Sequence, residues 1–131
     1  MDESRNLGAF EVKLSGGEIT TRDDLAEIVE YARKKYLNVV LITNMSRLSD
    51  DLYNCINKYG VSRIEVTLFS LNEDIHDKFV GVKGALNKTL QNISMLKSLG
   101  VDILIKIWVI KSNINELDEM IDYFQTERVW F

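Results

Sequence analysis

Cysteine is almost missing from this chain: Cys55 is the single thiol in 131 residues. A lone thiol excludes an internal disulfide framework and any C-x-x-C redox pair, which points to a reducing, cytoplasmic setting. Histidine is equally scarce. His76 has no histidine or cysteine to share a metal with, so a hydrogen bond in a loop is the expected role. Proline is absent altogether, and nothing reads as a linker, repeat or low-complexity tract. No apolar run approaches the ~18 residues of a membrane span, and the longest, 103–110, is interrupted by Lys106. The N-terminus carries acids and no apolar core, so it is not a secretory signal. Net charge is −4, and the densest basic cluster, Arg33-Lys34-Lys35, falls where a helix ends and cations complement its dipole. The basic footprint of a nucleic-acid partner is therefore missing. Walker A, G-x-G-x-x-G and G-x-S-x-G patterns are absent too, which leaves nucleophilic catalysis unsupported.

What remains is an ordered alternation. The length fits one domain, residues 1–131, with 46% apolar and 27% charged residues, as in ordinary globular proteins. Residues 10–15 read as a strand, and 21–35 as a helix opened by a capping box of Thr21 and Asp24. Residues 38–43 form a β-branched run expected to be a strand buried on both faces. Ser49 opens a helix with the stripe Leu52, Cys55, Ile56 and Tyr59, stopped by Gly60. Cys55 on that stripe reads as a small buried hydrophobe. A strand follows at 62–69, then a helical turn capped by Asn72, a helix over 85–98, and a strand at 101–110. Asn115 caps a final helix, and Arg128–Phe131 reads as the start of a fifth strand. Helices alternating with buried strands imply parallel pairing through right-handed crossovers. A partial (β/α) barrel and a doubly wound open sheet both satisfy that order.

The chemistry gathers at the carboxyl ends of the strands. Gly16-Gly17-Glu18, Thr43-Asn44, Thr67 with Ser70, and Ser112-Asn113 end successive strands, and in a parallel sheet those ends share one rim. Glycines let the backbone approach a ligand closely, and Glu18 adds a carboxylate there. Thr20 or Thr21 can do any capping, so Glu18 has no obvious structural task. Lys106, inside an apolar strand, needs an anionic partner that a barrel interior can supply, unless it faces an edge and snorkels to water.

These segments, KLSGGEITTRDDL (13–25), NVVLITN (38–44), 64–101 and IKIWVIKSNINEL (105–117), resemble the radical S-adenosylmethionine enzymes in motif and in order. The resemblance is greatest to the peptide-modifying branch that carries extra iron–sulfur domains after the barrel. It implies an α/β fold, an incomplete parallel (β/α) barrel of about five strands, with S-adenosylmethionine on the rim. By it, Gly16, Gly17 and Glu18 match the GGE motif that holds the cofactor's ammonium group. Thr43 and Asn44 match the start of the usual TNG, with Met45 in place of glycine. Thr67 stands on the ribose side, and Lys106 and Asn113 match polar positions of the next strand. Ile19 replaces the proline that commonly follows GGE.

The family's four-iron four-sulfur cluster rests on three closely spaced cysteines after a strand that should precede residue 10. Neither the cysteines nor that strand is in the sequence, and the last strand is cut short. The expectation is a central piece of an iron–sulfur oxidoreductase: it positions S-adenosylmethionine, is inactive alone, and acts on a peptide or protein only within the full-length enzyme. A non-catalytic binding or assembly module is the alternative. Unpaired strand edges further imply association between copies of the chain.

Overall fold

The computed structural model describes residues 1–127, so the expected fifth strand at 128–131 lies outside the described residues. Four parallel strands, β1 (Glu11–Leu14), β2 (Asn38–Thr43), β3 (Arg63–Leu68) and β4 (Ile103–Ile107), form one sheet in the order β1-β2-β3-β4. The helices are α1 (Asp2–Asn6), α2 (Leu25–Lys34), α3 (Asp50–Tyr59), α4 (Glu73–Val80), α5 (Ala85–Ser98) and α6 (Leu117–Thr126). Strand order follows chain order with no reversal. A doubly wound sheet needs a reversal, whereas successive βαβ units wound one way make part of a barrel. The chain folds as an incomplete (β/α) barrel.

Packing agrees. Alternate residues point to opposite faces of a strand, and Val39, Leu41, Ile64, Val66, Leu68, Ile103 and Ile105 all enter one apolar core. From the helices, Leu25, Val29, Ala32, Leu52, Ile56, Leu86, Ile93, Leu96, Met120 and Phe124 meet them. The opposite face carries Lys13, Val40, Ile42, Glu65, Thr67, Leu104 and Lys106, none of which joins that core. Of the two buried faces expected for β2, the helix-facing one is fully buried, while on the other Val40 is buried and Ile42 half so, because helices cover one side alone.

Capping fixes several boundaries. The Ser49 hydroxyl accepts from Leu52 N–H at 3.2 Å, and the Asn72 side chain accepts from Asp74 and Ile75 N–H, as expected. Two helix starts differ from expectation. Residues Ile19–Thr21 form a separate 3₁₀ turn and α2 begins only after Asp24. Asn115 lies inside a second 3₁₀ turn, Ile114–Glu116, and α6 follows Glu116. Cys55 is buried, and its thiol faces the Ala26 carbonyl across α2 and α3 at 3.3 Å.

Candidate functional site

The turn after β1 is organised by Glu18. Its Oε1 accepts from Thr20 N–H at 3.0 Å, from the Thr20 hydroxyl at 2.7 Å, and from the Thr43 hydroxyl. Its Oε2 accepts from Asn44 N–H at 2.7 Å. The carboxylate therefore caps its own 3₁₀ turn and fastens the end of β1 to the end of β2. That capping role was not expected. The Thr21 hydroxyl is spent inside the same turn, donating to the Glu18 carbonyl at 2.6 Å, and so it does not cap α2, which starts later. Oε1 is saturated by three donors. Oε2 receives one, and so keeps acceptor capacity.

Thr43 and Asn44 are placed by the next loop. Thr43 is buried, and its oxygen also accepts from Met45 N–H at 2.8 Å. Met45 is buried with φ of 52°, a left-handed conformation that favours glycine. Helix α5 holds this strained turn from outside, with the Thr89 hydroxyl donating to the Asn44 carbonyl and Asn92 Nδ2 to the Met45 carbonyl, both at 2.9 Å. Asn44 Oδ1 accepts from Ser46 N–H at 2.9 Å, which closes the turn.

Gly16, Gly17, Glu18, Ile42, Thr43, Asn44, Thr67, Phe69, Phe79 and Val80 line a cavity of about 360 Å³ at the strand ends. Its volume falls in the range of small-molecule sites. At Gly16, with φ of 153°, and at Gly17, no heavy atom beyond the adjoining residues lies within 4 Å of where a Cβ would stand, so these glycines border open space at the mouth. Phe69 and Phe79 stack with centroids 5.0 Å apart, and Trp108 flanks Phe69 at 6.3 Å. A larger depression of about 620 Å³ runs along α2 between Met1 and Lys34, but no strand end reaches it. The rim cavity is therefore the better candidate.

Six of the eight residues singled out from sequence meet in this cavity; Lys106 and Asn113 do not line it. Lys106 turns to the barrel side and pairs with Glu65, the anionic partner its position demanded. Lys13 reaches the same carboxylate at 3.5 Å. The Lys106 ammonium holds the Glu65 carboxyl below the usual carboxylate range, against the opposing push of burial. Asn113 is fully buried, and its amide is spent within the chain. Nδ2 donates to the Phe69 and Trp108 carbonyls, and Oδ1 accepts from Ile110 N–H. It braces the ends of β3 and β4.

Sequence reading missed Glu65, Lys13 and the aromatic wall. Alternation in 63–68 already set Glu65 and Thr67 on one face, but their neighbours on β1 and β4 become visible only once register is known. His76 forms a hydrogen bond as expected, though from helix α4 and not from a loop: fully buried, it accepts Phe69 N–H at Nδ1 over 3.3 Å. Its proton therefore sits on Nε2, which has no partner among the described residues. Burial pushes the imidazole below its ordinary range, partly opposed by Asp77.

An iron–sulfur cluster does not fit the residues present. The one thiol is buried between α2 and α3, and no group of three metal-ligating side chains occurs among the described residues. No helix among those residues is long and apolar enough to cross a membrane.

Comparison with known proteins agrees with this geometry. The AdoMet-dependent heme synthase of Methanosarcina barkeri is 35% identical over 89% of this chain, which corresponds to 34% of that protein. The subtilosin biosynthesis protein AlbA of Bacillus subtilis is 28% identical over 86% of the chain and 25% of its own length. The chain thus spans about a third or less of these relatives. Streptococcus suis SuiB bound to S-adenosylmethionine superposes with a TM-score of 0.84 over 98% of this chain and 30% of its own, at 15% identity, which bears on the fold alone. The sequence profile described as the Radical SAM superfamily matches residues 1–124, and the chain belongs to that superfamily.

Proposed function

We propose that this chain supplies the S-adenosylmethionine-positioning part of a radical S-adenosylmethionine enzyme that modifies a peptide or protein. The observation that carries the reading is the unspent acceptor capacity of Glu18 Oε2 at the mouth of a cavity bordered by Gly16 and Gly17. A carboxylate already locked by Thr20, Thr43 and Asn44 pairs with an ammonium at little ordering cost, and charge assistance strengthens the bond. Thr67 contributes a hydroxyl on the ribose side, and the stacked Phe69 and Phe79 give a flat apolar wall for the adenine. Bound there, the cofactor supplies the adenosyl group for hydrogen abstraction. The chain's residues hold and orient it. The peptide substrate is supported by relatives such as the subtilosin biosynthesis protein AlbA and by a SuiB structure with its precursor peptide SuiA. The cluster thiolates would come from outside these 131 residues, and alone the chain would be inactive.

Titration calorimetry with S-adenosylmethionine tests the reading. Wild type binds, and Glu18→Gln weakens binding at least about tenfold, the loss expected for one charge-assisted contact. A folded wild-type chain that releases no heat overturns it. That outcome leaves the second reading, a binding or assembly module without chemistry. Iron–sulfur reconstitution of the chain should produce no cluster absorbance.

A further inference from the structure

Below the rim, on the barrel side of the sheet, three charges from three strands meet. Glu65 of β3 is only 5% exposed, yet it receives Lys106 of β4 and Lys13 of β1. The exposures are ordered: the Glu65 side chain is 6% exposed, while Lys106 and Lys13 are 42% and 53% exposed. The carboxylate thus lies beneath, and the two ammonium groups stand over it toward open space. A buried carboxylate needs its charge offset, and one lysine does that; the second leaves the cluster with a surplus positive charge. Each ammonium has three donors, and here each meets one carboxylate oxygen.

The other charges on this face are paired with each other or stand toward the strand starts. Arg63 and Asp102 on the same face are paired with each other at 2.7 Å. Glu11, two residues before Lys13, is exposed near the start of β1, away from the rim. The cluster adjoins the cavity directly, because Lys106 is the register partner of Thr67, which lines it. Between the charges run Val40, Ile42 and Leu104, apolar side chains suited to the stem of a ligand.

We propose that Lys13 and Lys106, seated over Glu65, form a site for a carboxylate of the substrate, distinct from the cofactor's cavity. This rests on the cofactor assignment above, since the substrate must lie beside the adenosyl group. Glu65 acts as a positioning residue: it fixes two flexible ammonium groups at an apolar face and reduces the entropy lost when an anion arrives. The site selects substrates that carry an acid, such as an aspartyl or glutamyl side chain or a peptide C-terminus, within reach of the rim.

Succinate is the probe, followed by amide NMR of the full chain at low ionic strength, with and without saturating S-adenosylmethionine. The expected result is a saturable shift at residues 13, 65, 67 and 106, unchanged by the cofactor and weakened by salt. Lys13→Met and Lys106→Met should each lower succinate affinity by about fivefold, as for a partly exposed charge contact, and Lys13→Arg should retain it. Lys13 is half exposed on an edge strand, so its methionine variant folds even where the Lys106 variant does not. No saturable shift, or an affinity indifferent to both lysines, overturns the proposal. Displacement of succinate by S-adenosylmethionine also overturns it, because the cluster then serves the cofactor's own carboxylate. Succinate binding is read without the cofactor, so its outcome is separate from that of the Glu18 calorimetry.

Discussion

The two faces of the sheet are built on opposite terms. Toward the helices, Leu41, Ile64, Val66 and Leu68 are fully buried among aliphatic side chains. Toward the barrel interior, one residue along in each strand, stand Ile42, Glu65 and Thr67. The first face stabilises the fold by removing apolar area from water; the second leaves polar groups in place. The strands thus hold their charges outside the packed apolar core. Stability and binding are divided by the two-residue period of the strand.

Neighbouring substitutions break this comparison most severely. Val66→Lys places an unpaired ammonium in the packed core and should abolish the folded state, which circular dichroism would register as lost secondary structure. Thr67→Lys, one residue on, should keep the fold and remove S-adenosylmethionine binding. If both variants fold, the division is wrong. The next effect is smaller. Leu41→Ala should cost about 3 kcal/mol in urea unfolding, and Ile42→Ala only about 1 kcal/mol, because the half-buried side chain leaves a smaller cavity.

Acid should act through His76. Its folded-state proton affinity is lowered, so the unfolded chain binds more protons and stability rises with pH. Stability is complete above the ordinary imidazole range, near pH 6.5, and falls as pH drops below it. Burial disfavours the charged ring, and a proton on Nδ1 would also confront the Phe69 N–H. Stability should fall between pH 7 and pH 5.5 by chemical denaturation, and His76→Phe should flatten the profile. Lys13→Met should have the least effect, below about 1 kcal/mol, since the lysine is half exposed and its pairing is screened. That small cost set against a clear loss of succinate binding would sharpen the division between the faces.

Much of this was legible in the chain. The run at 38–43, the Ser49 cap and the helix over 85–98 follow from periodicity and side-chain chemistry, and the structure places β2, α3 and α5 there. The rim was legible because strand ends in a parallel sheet converge, whatever the register. Other features escaped because they are decided between elements. Thr21 looked like a cap, but Glu18, gripped from β2, organised the turn first. Asn113 looked like a ligand and is a brace, since carbonyls from two loops use its donors. Glu65 sits in a strand whose sequence gives no hint of two lysines converging from β1 and β4.

The left-handed turn at Met45 has a consequence in time. Its bonds to Thr89 and Asn92 span more than forty residues of chain, whereas the Glu18 bonds to Thr43 and Asn44 span about twenty-five. Contacts distant in sequence wait on loop closure. During synthesis the Glu18 anchor can therefore form while α5 is still being made, but the loop that aims Asn44 becomes rigid only after α5 docks. The order of assembly runs from scaffold to anchor to loop, and binding competence arrives last.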